Sequence, residues 1–211
     1  MIGLSHVVSY LTCPRLCYYR IHFGENVFAE IHAVREIYFS FRQGFDLEWA
    51  ESRTRSLYEN FDEGVFRRAA EKFVYIDHGL RTVDFDVYVR SEKLGVGMVV
   101  DEIVRDGERD VPLFISLNPP EKGVWLRDVI KAGFAALIGF DGARIYYAYS
   151  GDLRSAETGY GTKRRVLKLI ERVKMVERGF LPEKRESKYC DLCNFKEECH
   201  SKPETFASKF L

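Results

Sequence analysis

The chain has 211 residues, of which 46% are hydrophobic and 30% charged; this excludes a disordered chain and fits one large globular domain, or a domain with a small appendage. No run approaches the roughly 20 apolar residues of a membrane span, and the opening MIGLSHVVSYLTC lacks the basic stretch of a secretory signal, so a cytoplasmic protein without a membrane partner is expected. With 32 basic and 32 acidic residues the net charge is zero, so binding a nucleic acid would require a local basic patch.

In chain order, residues 5–22 read as helix, with Pro14 opening the second turn. Residues 29–57 space their apolar side chains at helical intervals, and 62–75 form a further helix running toward a strand. Then the period changes. TVDFDVYV (82–89), LGVGMVVDEIV (94–104) and DVPLFISL (110–117) alternate or run apolar, as strands do, and Asp106-Gly107 marks a hairpin between the last two. Residues 124–138 return to a helical stripe and 143–150 form a strand. Residues 162–180 form an amphipathic helix burying Val166, Leu169, Ile170, Val173 and Val176. A cysteine-bearing tail follows Pro182. The order predicts an α/β fold with a mixed sheet rather than a strict βαβ repeat. The single Gln, the few Asn and the many Glu, Lys and Arg give a thermophile-like composition.

Five cysteines in a cytosolic chain read as metal ligands before disulfides. Cys190, Cys193 and Cys199 form a C-x2-C-x5-C spacing that lets one short turn aim three thiolates at a common centre. Three leave a tetrahedral ion or a four-iron cluster one ligand short, and Cys13 and Cys17 are the two available for the fourth. The bland alternative is buried free thiols. Four-cysteine zinc sites usually show two C-x2-C knuckles; one is present, which favours an iron–sulfur cluster over zinc. His200, adjacent to Cys199, is awkwardly placed to ligate and is expected in solvent.

The segments CPRLCYYR, VVD (99–101) and C-x2-C-x5-C together resemble the CRISPR-associated RecB-like exonuclease family, in order and spacing over nearly the whole chain. The resemblance implies a 4Fe–4S cluster held by Cys13, Cys190, Cys193 and Cys199, with Cys17 left to packing. It implies a RecB-like core of the PD-(D/E)xK superfamily, acting on or binding DNA in spacer acquisition alongside the CRISPR integrase proteins. The corresponding division is a helical region 1–75, a nuclease-like core 76–181 and a cysteine-rich region 182–211.

The chemistry of that core needs converging carboxylates on Mg2+ or Mn2+ and a lysine beside the attacking water. Asp101 matches the motif aspartate. Where the next strand should carry Glu-x-Lys, the chain has Ser116 and Asn118; where the following helix should carry Gln and Tyr, it has Ile130 and Phe134. Glu48 stands where a histidine is usual and could serve as a ligand. Glu102 adjoins Asp101, but neighbouring strand residues face opposite sides. Glu121-Lys122, after two prolines, could fold back toward the site. One Asp alone holds Mg2+ poorly, so the nuclease site reads as degenerate.

Asp84, Asp86 and His32 could supply missing ligands but are expected as strand-edge and helix-surface residues. Tyr146, Tyr147 and Tyr149 could stack bases, and packing is the simpler expectation; Trp49 and Trp125 read as core or groove lining. The cations Lys163, Arg164, Arg165, Lys168, Arg172, Lys174 and Arg178 could equally meet phosphates or water. The expected function is a DNA-binding member of the family with a degenerate nuclease site. The alternatives are a working metal-dependent exonuclease, with Asp101 and Glu48 holding Mg2+ or Mn2+, and an Fe–S-stabilised interaction subunit that does not touch DNA.

Overall fold

The computed structural model describes residues 1–187 and 189–200; Lys188 and residues 201–211, the end of the region expected over 182–211, lie outside the described residues. The order is β1 (Ile2–Gly3), α1 (Leu4–Thr12), α2 (Pro14–Phe23), α3 (Glu30–Arg42), α4 (Leu47–Leu57), α5 (Glu63–Lys72), β2 (Arg81–Ser91), β3 (Val96–Asp106), β4 (Arg109–Ser116), α6 (Leu126–Ile138), β5 (Ala143–Tyr147), β6 (Asp152–Ala156) and α7 (Tyr160–Glu177), then a 3-10 turn (Cys190–Leu192) and α8 (Lys196–His200). No helix among the described residues is long and apolar enough to cross a membrane.

The expected α/β fold with a mixed sheet and flanking helices is present, and two long helical stretches are corrected. Residues 5–22 are two helices, not one, because Cys13 adopts an extended backbone (φ −156°, ψ 121°) and Pro14 begins the second helix at its first position, where a missing N–H costs nothing. Residues 29–57 break after Gly44, which takes positive φ, and Asp46 then caps α4 by accepting the Trp49 N–H. The two-residue strand β1 and the edge strand β6 had no clear signal; β6 follows a tight turn through Gly151 at φ +72°.

The six-stranded sheet runs β1-β3-β4-β5-β6, with β2 also on β3. β2 covers one edge of β3 from Val96 to Arg105, so β1 and β4 must share the other. β1 takes Val96–Gly97 and β4 takes Glu102–Asp106, and between them β3 and β4 diverge into a fork.

Two cores sandwich the sheet. Met98, Val100, Phe114, Ile145 and Tyr147 pack with α1, α6 and α7 on one face; Val104, Leu113, Ile115 and Tyr146 pack with α3 and α5 on the other. The period-2 alternation of β4 and β5 sends neighbouring residues to opposite cores. Phe134 and Ile130 of α6 are fully buried in the first core, and truncating Phe134 to Ala would cost about 3–5 kcal/mol.

On β2 and β3 the alternation changes phase in mid-strand. Val87, Val89, Met98 and Val100 face the first core, whereas Phe85 and Val104 face the second. The switch falls at Asp86 and Asp101, which the flanking pairs Phe85↔Glu102 and Val87↔Val100 put opposite each other. Asp86 is the one described non-glycine residue with positive φ, 54°, a conformation Asp tolerates better than most side chains.

Candidate functional site

The helix break at Cys13 points that residue at the C-terminal tail. Cys13, Cys190, Cys193 and Cys199 line one cavity, together with Arg15 and Tyr19 of α2. Cys17, one turn past Cys13, is not in the lining: it is fully buried in the first core, its thiol donates to the His6 carbonyl at 3.3 Å, and burial pushes its pKa up to about 12. Among the described residues no three His, Cys, Asp or Glu side chains close on a point that would hold a single metal ion. The four thiols surround a space, and their donor set is that of a cluster or a soft metal.

Polar donors already face these sulfurs. Ser187 N–H points at the Cys190 Sγ at 3.4 Å, and Arg15 Nη1 lies 3.7 Å from the Cys199 Sγ. The Cys193 thiol is raised above its ordinary range by burial, and by the neighbouring Cys13, Cys199 and Cys190. The tail is also held without any metal. Arg15 donates to the carbonyls of Pro182 (2.9 Å) and Cys199 (3.0 Å), Tyr19 stacks on Phe195 at 5.3 Å, and Asn194 donates to Glu25 at 2.9 Å. His200 is exposed, as expected, though it also borders the cavity and sits 3.2 Å from the Lys184 Nζ.

The second cluster lies at the strand fork. Asp101 accepts the free Ile115 N–H at 2.8 Å, which replaces a ladder bond where β3 and β4 part. Its other oxygen pairs with Arg35 of α3, and the same guanidinium pairs with Asp86. Burial opposes the charge on Arg35, but the carboxylates of Asp101 and Asp86 more than offset it and hold its pKa above the ordinary range.

Glu102 does not turn away from Asp101's neighbours as strict alternation required. Because the pleat changes phase here, both residues meet α3: Arg35, Tyr38 and Arg42 share one helical face by their spacing. Glu102 is fully buried and accepts from Tyr38, from Arg42 Nη2 (3.0 Å) and from Thr82 (2.6 Å). His78 Nε2 lies 3.0 Å from the Tyr38 hydroxyl, and burial followed by the Glu102 carboxylate raises the Tyr38 pKa.

Ser116 places its hydroxyl near an acid that had not been singled out, Asp128 (Oδ2 at 3.3 Å). Asp128, from the first turn of α6, is fully buried and receives the Tyr147 hydroxyl at 2.9 Å and Lys131 Nζ at 3.1 Å. Lys131 also reaches the Ile115 carbonyl at 3.4 Å. Asp101 and Lys131 thus grip the amide and the carbonyl of one residue at the fork, with no direct ion pair between them among the described residues. The pattern Asp-x-x-Lys in LRDVIKAG is the sequence signal for the Asp128–Lys131 contact.

The other expected ligands lie elsewhere. Glu48 is exposed in the first turn of α4 and makes no hydrogen bond or ion pair with Asp101 among the described residues. Among the described residues no polar contact of its side chain aims Asn118 into the fork; its backbone carbonyl accepts from the Trp125 indole at 2.7 Å. Glu121 and Lys122 are exposed and do not fold back, since Arg154 braces that loop through the carbonyls of Pro120 and Gly123. His32 accepts the Ala29 N–H and stacks on Tyr58, a helix-capping role. Asp84 caps the Phe85 N–H. Trp49 stacks on Phe45 at 4.1 Å.

Fold and sites together define a mixed-sheet α/β protein with flanking helices and a cysteine-lined cavity between its first helices and its C-terminal tail. The chain belongs to the same family as an uncharacterized protein of Archaeoglobus fulgidus, with which it is 55% identical over 213 residues, covering 100% of each. No family model matches the chain. A solved structure titled "Crystal structure of SSO0001" aligns over 90% of each chain at 13% identity and a TM-score of 0.39, too distant a likeness to carry an argument.

Proposed function

We propose that this chain is a RecB-like, Fe–S-stapled member of the CRISPR-associated exonuclease family that binds DNA in spacer acquisition with its nuclease centre closed. The observation that carries the reading is the convergence of Cys13, Cys190, Cys193 and Cys199 on one cavity, with Cys17 outside it. A 4Fe–4S cluster held there would supply a strong tie between α2 and the tail. The chain's own groups do the rest: Ser187 N–H and Arg15 offset thiolate charge, and Arg15, Tyr19 and Glu25 dock the tail. Thiols set around a space favour the cluster over a single zinc ion, which needs four ligands at roughly 2.3 Å from one point.

The closed centre rests on Arg35. Its guanidinium occupies the place between Asp86 and Asp101 that a divalent cation would take, and it supplies the positive charge those facing carboxylates require. A second reading, an active exonuclease using Mg2+ or Mn2+, is favoured by a different observation: Asp86, Asp101 and Lys131 gather at the fork although Glu-x-Lys is absent from β4.

Purified protein, labelled single-stranded DNA and Mg2+ or Mn2+ separate the readings. Binding at low salt without cleavage is the expected result. Cleavage that disappears in Asp101→Ala and Lys131→Ala would replace the closed-centre reading with the active one. No binding at low salt would leave only an interaction subunit.

A further inference from the structure

Between the α1–α2 junction and α7 lies an open groove of ≈ 570 Å3, lined by Tyr10, Cys13, Arg165, Lys168, Arg172 and Arg185 among others. We infer that this groove, rather than the strand fork, is where the chain holds a single-stranded nucleic acid by its phosphate backbone. The inference rests on the DNA-binding reading above and adds the binding surface to it.

Charge is the first support. Arg165, Lys168 and Arg172 fall on one face of α7 by their i, i+3, i+7 spacing, and Arg165 and Arg172 are about 10 Å apart along the axis. None of these three, nor Arg185 across from them, has an ion-pair partner among the described residues. The less exposed cations Arg35, Arg42, Arg53, Arg105, Arg144 and Arg154, by contrast, all face carboxylates. In a chain of zero net charge, four free cations in one groove make a local positive field. The acidic residue on the lining, Glu186, is paired with Lys184 at 3.1 Å.

Chemistry selects the strand type. One wall offers the half-buried Tyr10 ring and Leu11, so apolar surface for unstacked bases stands beside cations for phosphates. Cys13 and Arg185 line both this groove and the cysteine cavity, so the docked tail completes the groove wall.

The test is fluorescence anisotropy with a labelled oligothymidylate, over a salt series, on the full chain. Lys168→Ala/Arg172→Ala is compared with Arg164→Ala/Arg178→Ala, which removes one exposed cation of α7 and the exposed arginine that caps its end, both outside the groove. The groove pair should weaken binding at least tenfold and lower the slope of log K against log salt by about 1.4, at roughly 0.7 per single-strand phosphate contact. The control pair should change affinity less than threefold. Equal losses in both pairs, or no loss in the groove pair, would overturn the groove assignment while leaving DNA binding intact. Equal affinity for duplex and single strand would overturn the single-strand assignment. Wild-type protein that does not bind at low salt would remove the DNA-binding reading itself.

Discussion

Asp86 and Asp101 face each other across neighbouring antiparallel strands, and one guanidinium, that of Arg35, serves both. Two carboxylates in that position repel unless a cation lies between them. Arg35→Ala should therefore lower stability by about 2 kcal/mol, below the range for a fully buried pair because Asp86 is half exposed. The same variant should gain affinity for Mn2+ that the parent lacks, measurable by calorimetric titration. A variant as stable as the parent, and equally indifferent to Mn2+, would show that Arg35 does not stand in for a metal.

Glu102 is the buried hub of β3. Its carboxylate accepts from Tyr38, Arg42 and Thr82 with no exposure to solvent. Glu102→Ala removes the buried acceptor shared by Tyr38, Arg42 and Thr82, leaves Arg42 with Asp77 and the Leu80 carbonyl, and should cost about 3 kcal/mol in urea or thermal unfolding. Glu102→Gln keeps the shape and one acceptor and should cost less.

Cys13→Ser should abolish the visible absorption and the iron and sulfide content of anaerobically purified protein. Cys17→Ser should retain both and lose only about 1 kcal/mol of stability from its packed site. Zinc in place of iron in the parent would reassign the centre, and a Cys17→Ser variant devoid of metal would exchange the two cysteines' roles.

Three histidines should make the protein acid-sensitive. His6, His32 and His78 each accept a backbone N–H at Nδ1, from Gly3, Ala29 and Leu80 respectively. A protonated imidazole has no acceptor to offer. Burial is the largest cause lowering all three below the ordinary 6.5. As pH falls through 6.5, the unfolded chain takes up protons that the native state refuses, so native stability declines until the native imidazoles also titrate. Unfolding in urea at pH 7.5 and 5.5, in the Cys13→Ser background to exclude loss of a metal, should show lower stability at pH 5.5. His78→Phe should lessen the difference and leave the part owed to His6 and His32; an unchanged pH dependence would mean that His78 titrates alike in the folded and unfolded chain.

The fold was legible wherever periodicity was strong. Val166, Leu169, Ile170, Val173 and Val176 recur at helical spacing and are buried as that spacing requires, and Asp106-Gly107 turns β3 into β4. The Cys13 break was half visible in Pro14, whose place at a first helical position does not say that the preceding helix ends. Strand alternation misjudged Glu102 because the phase change beside it accompanies a positive φ at Asp86, a conformation that Asp tolerates but seldom adopts within a strand. The fork cluster stayed hidden for another reason. Arg35 reaches Asp101 from a helix far back in the sequence, and Lys131 reaches the Ile115 carbonyl from the helix that follows β4, so only the topology brings the two cations to one place.

Arg15, Tyr19 and Glu25 bind partners between Pro182 and Cys199, which gives synthesis of the chain a clock. At about 5–20 residues per second, a ribosome needs roughly ten seconds to half a minute after making α2 before those partners exist. Through that interval the α2 face stands bare. Strands β2 to β6 are all made within that interval, so they can pair before the tail reaches α2, and the joining of the two ends comes last.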